Sequence, residues 1–254
     1  MYLTDNWSII DPLIRDNIAA NLNTIGRMKN NKGIKIYVDN LESPRGFVLK
    51  DDYWVIPYSK DEDMVRSMLS SFPLTDEVGF CGIQNKTAEI VMKHLKEYEL
   101  AWDEDCELFY LPEELYSKYE NLEGLPYLQE QDIEIVDRYY TYRDETSREY
   151  LLECIKNRPS SKLTNQEGSP ISWALVREDN SLGVMYTVSD YRNKGLAKII
   201  TADLIHKTIA RGNIPYVHIR ADNNASKNLA KEMGFVFWDK ILWFGLRKKS
   251  RKEE

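Results

Sequence analysis

Residues 182–212 read LGVMYTVSDYRNKGLAKIITADLIHKTIARG, and the order of residue types in this stretch decides the fold. Val184, Tyr186 and Val188 recur with period two and are of the β-branched and aromatic kind that strands favour, so the stretch opens as a strand. Ser189 and Asp190 break the run, and Arg192-Asn193-Lys194-Gly195-Leu196-Ala197 follows. A helix comes next. Leu196, Ile199, Ile200 and Leu204 fall at helical spacing, Lys198, Asp203 and Lys207 are expected to form its polar face, and Gly212 to stop it. A strand, a tight loop of small residues and a helix N-terminus together make an anion site. The first helical amides have no intrahelical acceptor, and the helix dipole places partial positive charge beside them. Gly195 and Ala197 carry no side chain large enough to hold a diphosphate away from those amides. The loop is neither a P-loop, which needs GxxxxGK[ST], nor a dinucleotide fingerprint, which needs GxGxxG.

The remaining composition bounds the answer. At 254 residues with 43% hydrophobic and 11% aromatic side chains, the chain has enough apolar material for one large domain or two ordinary ones. Cys81, Cys106 and Cys154 are far apart with no CxxC pair, which suits reduced thiols. The three histidines have no nearby cysteines, so no metal cofactor is expected. No apolar run approaches the length of a membrane span, and Asp5, Asp11 and Asp16 make the first residues unlike a secretory or transit segment. A cytoplasmic location with no membrane partner is the expectation. The net charge of −7 is uneven: residues 1–124 carry 13 basic and 23 acidic side chains, residues 125–254 carry 21 and 18. The acidic first half argues against nucleic acid. The basic run 247–252 reads either as a solvated end or as a contact for a phosphate or an acidic surface.

Outward from the central stretch, hydrophobic periodicity predicts a helix over 8–30, strands at 34–38, 46–49 and 53–57, a helix at 61–71, a strand at 78–82, a helix at 86–97 and a strand at 106–111. Residues 112–126, charged and aromatic with Gly and Pro near the end, read as the domain boundary. Beyond it come helices at 132–140 and 147–157, a strand at 172–177, a turn at Asp179-Asn180 and then the central stretch. A strand at 215–220 and a helix at 225–233 follow, closed by a hairpin of 235–238 and 241–246 across Asp239-Lys240. The same element order runs through both halves, but the first has no R-x-x-G-x-[GA] loop between a strand and a helix. The expected organisation is therefore an α/β (α+β) chain of two parts, 1–124 and 125–254, the first a degenerate copy of the second.

Arg192-x-x-Gly195-x-Ala197 after a strand resembles the pyrophosphate loop of the GNAT superfamily of N-acetyltransferases, which bind acyl-coenzyme A. Three separated stretches, SREYLLECI at 147–155, EGSPISWALV at 167–176 and TVSDYRNKG at 187–195, are similar to the C-terminal domain of the glycine N-acyltransferase family. That family joins a GNAT-like N-terminal half to a catalytic GNAT half. Asn223-Asn224-Ala225-Ser226 with Leu229 and Met233-Gly234-Phe235 resembles a second superfamily segment, the one after the strand that follows the cofactor loop. The resemblance covers residues 128–245 well and 1–124 only in order and size.

The resemblance implies a GNAT fold, an acyl-CoA or acetyl-CoA cosubstrate, and transfer of the acyl group to the amine of a small acceptor such as glycine or another amino acid. Backbone groups of Tyr186, Thr187 and Val188 would line the pantetheine arm, with the Val188 amide as donor to the thioester carbonyl. The amides of Arg192, Asn193, Lys194, Gly195, Leu196 and Ala197 would take the pyrophosphate. Arg192 reads either as part of that site or as a solvated turn residue. Asn223 and Ser226 read either as helix-capping residues or as contacts for pantetheine or phosphate. Two departures bear on catalysis. Ser181 stands where the family carries a Glu base, which leaves His218 as candidate base, or Asp179 if the turn is shifted. Ala230 stands where many GNAT enzymes have a Tyr to protonate the thiolate. His218 reads equally as a hydrogen-bonded strand histidine. Trp173, Trp238 and Trp243 are expected in the core. Two other functions stay open: a GNAT acetyltransferase for another amine or a protein lysine, and a non-catalytic acyl-CoA-binding protein.

Overall fold

The computed structural model describes residues 1–250. It starts with a short strand, β1 (Tyr2–Thr4), followed by the helices α1 (Asp11–Asp16) and α2 (Leu22–Asn30). The single helix expected over 8–30 is thus broken. Asn17 takes an extended conformation (φ −149°, ψ 79°), and its Oδ1 accepts from the Ala20 amide at 3.2 Å, restarting the chain. Strands β2 (Lys35–Val38), β3 (Gly46–Asp51) and β4 (Trp54–Ser59) follow, then α3 (Glu62–Ser71), β5 (Glu77–Gln84), α4 (Asn85–His94) and the long β6 (Tyr98–Tyr110). Beyond these lie α5 (Ile133–Arg138), α6 (Ser147–Asn157), β7 (Ser160–Thr164), β8 (Pro170–Val176), β9 (Leu182–Thr187), α7 (Leu196–Ala210), β10 (Tyr216–Arg220), α8 (Asn224–Glu232) and β11 (Val236–Lys248). Among the described residues no helix is long and apolar enough to cross a membrane.

Packing groups the chain as two units, Met1–Leu108 with the chain from Trp238 on, and Phe109–Phe237. The sequence suggested one cut at 124/125. The structure instead gives residues 109–124 to the second unit, because Phe109, Leu111 and Tyr119 are buried in that unit's core. In the first unit the strands lie in the order β1-β2-β3-β4-β5-β11-β6. Ile36, Val38, Val48, Phe80 and Phe244 are among the fully buried residues of its core, and the Phe80 and Phe244 rings stack at 4.8 Å. The expected closing hairpin is absent: β11 runs straight through Asp239-Lys240. It pairs antiparallel with β5 from Ile241↔Gln84 to Arg247↔Glu77, and Gln84 Nε2 donates to Asp239 Oδ2 at 2.6 Å, so no turn forms there. The basic run is correspondingly tied down at its start, with Arg247 Nε 2.8 Å from Glu77. Arg251 and Lys252 lie outside the described residues.

In the second unit β7, β8 and β9 form an antiparallel sheet. Strand β8 alternates: Ala174 and Val176 face α7 with Ile200, Leu204 and Ile205, while Trp173 and Leu175 pack with Leu151, Cys154 and Ile155 of α6. β7 has no apolar pattern to announce it; Ser160, Ser161 and Lys162 are buried through polar partners. Those partners also bury part of the face of α7 expected to be polar. Lys207 Nζ lies 2.6 Å from Asp203 and donates to the carbonyls of Leu125 (2.7 Å) and Ser160 (2.9 Å), while Ser161 Oγ donates to Asp203. A hydrogen-bonded i,i+4 ion pair can be buried where an isolated charge cannot. Ile199, by contrast, faces outward.

Candidate functional site

The site is built on the hairpin of β8 and β9. Pairing runs Val176↔Leu182 and Leu175↔Gly183, then resumes at Trp173↔Tyr186 and Ser172↔Thr187, so Val184 and Met185 together oppose Ala174. This is a β-bulge, and Val184 adopts φ +49° to make it. A β-branched residue with positive φ is strained by about 1–2 kcal/mol, which the surrounding packing must hold. Strand β10 lies beside β9 but belongs to a different sheet. Between the two strands opens a cavity of about 430 Å³ lined by Val184, Met185, His218, Asn223 and Ser226, with Arg177 and tyrosines 139, 140 and 142 also on its wall.

At the end of β9 the chain makes a 3-10 turn, with the Tyr191 amide donating to Val188 O at 2.9 Å and the Arg192 amide to Ser189 O at 3.1 Å. Asn193 and Gly195 then take left-handed φ of +59° and +76°, and α7 begins. Gly195 O accepts from the amides of Lys198 (3.1 Å) and Ile199 (3.3 Å). The amides of Asn193 to Ala197 have no backbone or side-chain acceptor among the described residues. No side chain caps α7, its first turn has no acidic residue, and a Cβ placed on Gly195 would meet nothing within 4 Å. A row of donors beside open space and a dipole's positive end fits a diphosphate. The Arg192 side chain does not reach into this loop. Its Nε donates to Thr187 O at 2.9 Å, and the guanidinium lies 5.3 Å from the centre of the Tyr186 ring, which stacks on Tyr139 at 4.3 Å.

The other sequence candidates fall as follows. The Val188 amide donates to Ile171 O at 2.9 Å, closing the hairpin ladder, so it is not available to a thioester carbonyl and the expectation for it is corrected. Tyr186 and Thr187 stand on β9, with Thr187 Oγ1 2.8 Å from Ser172 Oγ. His218 lines the cavity from β10, its ring 5.3 Å from that of Tyr216. Asn223 caps α8, its Oδ1 accepting the Ser226 amide at 3.1 Å, and both residues also line the cavity, so the two readings of this pair coexist. Ser181 and Asp179 are buried and bound to each other, Ser181 Oγ donating to Asp179 Oδ1 at 2.6 Å, and neither lines the cavity. Ala230 lines it without a hydroxyl. Trp173 is fully buried, as expected of a core residue. Sequence reasoning missed the bulge, the tyrosines and Arg177. A bulge at a valine carries no residue signature, and only the tertiary fold brings residues 139–142 to β9.

The corresponding places in the first unit are closed. β4 and β5 pair in parallel at Trp54↔Gly79 and Val55↔Phe80, and the Tyr53 and Trp54 rings cover Gly79 so closely that a Cβ there would lie 2.2 Å from Tyr53. The helix after β4 is capped by Asp61, whose carboxylate accepts the Asp63 amide at 2.9 Å. A carboxylate occupies the position that an anion would need.

Residues 163–244, which span β8, β9, the loop, α7, β10 and α8, match the FR47-like protein family. A mouse glycine N-acyltransferase-like protein is 31% identical over 106 residues, 40% of this chain and 35% of that protein. Mouse glycine N-acyltransferase is 28% identical over 97 residues, 38% of this chain and 33% of that protein. The matched region is thus about a third of these relatives' length. Among solved structures, a Drosophila protein superposes over 96% of both chains with a TM-score of 0.79 at 17% identity. A tandem GNAT protein from the clavulanic acid biosynthesis pathway superposes over 99% of this chain and 100% of its own, with a TM-score of 0.55 at 9% identity. These likenesses at low identity speak for the fold. Strand, left-handed glycine loop, helix and splayed neighbouring strand thus lie on a region, residues 163–244, that matches the FR47-like protein family and is similar to part of the mouse glycine N-acyltransferases.

Proposed function

We propose that this chain transfers an acyl group from acyl-coenzyme A to the amine of a small acceptor such as glycine or another amino acid. The observation that supports this most strongly is the cavity between β9 and β10, with acceptor-free amides at Asn193–Ala197 at one end of β9. On this reading the loop amides hold the diphosphate, Asn223 and Ser226 flank the pantetheine arm, and the bulge at Val184 and Met185 offers the backbone donor to the thioester carbonyl. The acceptor ammonium loses a proton to His218, its nitrogen attacks the carbonyl carbon and gives up a second proton to solvent as the C–N bond forms, and the C–S bond breaks with departure of the thiolate. With Ala230 at the cavity wall, solvent protonates that thiolate.

A thiol-release assay with acetyl- and benzoyl-CoA across the amino acids tests the reading, and amide product with release of free CoA is the expected result. Activity confined to non-amino-acid amines or protein lysines would replace it with the acetyltransferase alternative. Binding of acyl-CoA without thiol release for any amine would replace it with a non-catalytic acyl-CoA-binding protein. The bonding of Ser181 to Asp179 and the absence of a tyrosine at 230 favour that alternative over the acetyltransferase.

The closed β4–β5 pair and the Asp61 cap lead to a second expectation, that the first unit binds no coenzyme A. Calorimetric titration of the full chain should give one site per chain. Two equivalent sites would overturn it.

A further inference from the structure

The Arg192 side chain turns away from the loop that it opens. It is exposed, yet it bends back onto β9: Nε donates to Thr187 O at 2.9 Å, and the guanidinium lies 5.3 Å from the centre of the Tyr186 ring. A guanidinium is planar and weakly hydrated, so it gains by lying against an aromatic ring while its edge bonds a carbonyl. Tyr186 is fixed from a second side. Its ring stacks on that of Tyr139 at 4.3 Å with 17° between the planes. Both rings pack near the fully buried Trp173, Tyr186 at 5.4 Å and Tyr139 at 6.0 Å. Aromatic pairs fix each other's ring planes as well as burying area. Tyr139 stands at the C-terminal end of α5 and in the cavity wall. One continuous set of contacts therefore runs from the first residue of the loop to the wall of the cavity.

The wall needs such a tie. Residues 139–146 connect α5 to α6 and are mostly exposed. Several of their hydrogen bonds are local. The Tyr140 amide donates to Asp137 O at 3.1 Å, and Asp144 Oδ1 accepts from the amides of Thr146 and Ser147, both at 2.8 Å. Such bonds shape the segment, and the stack of Tyr139 on Tyr186 joins it to β9. On the function proposed above, the loop amides take the diphosphate while Asn223 and Ser226 flank the pantetheine arm. Tyrosines 139, 140 and 142 are then left to face the acyl group and the attacking amine. We infer that Arg192 is a positioning residue: through Tyr186 it holds Tyr139, and with it the tyrosine wall, where the acyl group and the amine meet. The kinetic part of this rests on the transferase reading. The tie between Arg192 and the wall does not, and it can be measured in the free protein.

Hydrogen exchange read by mass spectrometry, on the full chain without ligand, is the first test. Arg192→Met keeps the length of the side chain and loses both the Thr187 bond and the guanidinium. Exchange over 139–146 should quicken about two- to fivefold, the size that loss of one exposed cation–π contact supports. Tyr139→Ala should quicken the same segment, and Tyr139→Phe, which keeps the stack, should not. Arg192→Met added to Tyr139→Ala should bring no further change, because the two substitutions break one tie. Arg192→Gln serves if Arg192→Met fails to fold. Unchanged exchange over 139–146 in the folded variant, or a change confined to 186–195, overturns the inference.

The second test separates binding from turnover. Free coenzyme A carries no acyl group, so Arg192→Met should bind it within about twofold of wild type, while kcat/KM with the acyl-CoA and amine found active by thiol release falls at least about fivefold. Tyr139→Phe should keep the wild-type kcat/KM. Wild-type kcat/KM in Arg192→Met overturns the inference, as does tenfold weaker binding of coenzyme A with exchange over 139–146 unaltered, since the side chain would then serve the loop alone. If wild type releases no thiol with any amine, the transferase reading falls, and the exchange result alone decides whether Arg192 holds the wall.

Discussion

Replacing His218 with alanine is expected to lower kcat/KM for the amine acceptor by about 10²–10⁴-fold, the usual contribution of a positioned general base. The acceptor is an ammonium ion in solution and cannot attack a thioester until it loses a proton. His218 is the histidine that lines the cavity between β9 and β10. The pH profile carries the sign of the prediction. A protonated imidazole cannot accept, so kcat/KM should rise with pH as His218 loses its proton and then level off. In His218→Ala that limb should vanish, and the residual rate should keep climbing toward the pKa of the amine itself. Circular dichroism and Tm check that the variant is folded. A folded variant with full rate and the wild-type profile would remove His218 from the mechanism. Asp179 could not simply replace it, being buried, bound to Ser181 and absent from the cavity wall, so attention would move to an ordered water.

Gly195→Val is expected to raise the Kd for coenzyme A at least about tenfold, or ~1.4 kcal/mol, while leaving the fold intact. Gly195 has φ +76°, which costs a side-chain-bearing residue about 1–2 kcal/mol. The loop then relaxes out of the conformation that turns the amides of Asn193 to Ala197 outward. A Cβ at this position would meet no protein atom within 4 Å, so the penalty falls on the loop and on whatever approaches it, and no core contact is lost. Fluorescence or calorimetric titration with coenzyme A measures the effect, and an unchanged Tm shows that it is local. Wild-type affinity in a folded Gly195→Val chain would mean that the diphosphate does not lie on this loop.

Much of this protein was legible in its sequence because the signals concerned are local. The alternation of Val184, Tyr186 and Val188, the small residues at 195 and 197 and the apolar spacing from Leu196 to Leu204 are each set within a few residues, and they predicted the strand, the loop and the helix found there. The Asn223 cap was legible for the same reason. Local patterning could mislead where a long-range partner decided the outcome. Asp239-Lys240 reads as a turn, yet pairing with β5 keeps β11 straight. Asp203 and Lys207 read as a solvated face, yet β7 and the Leu125 carbonyl bury them as a bonded pair. The Val188 amide reads as a strand-end donor, yet Ile171 takes it. The bulge and the tyrosines on the cavity wall belong to this second class. The bulge exists only as a mismatch between two strands, and the tyrosines at 139–142 reach β9 only through the packing of α5 and α6. Arg177 reaches the cavity wall from the end of β8, which no local pattern announces. Backbone conformation near one residue follows from that residue and its neighbours. Which side chains meet in the interior depends on contacts between distant segments, and only the tertiary structure decides those.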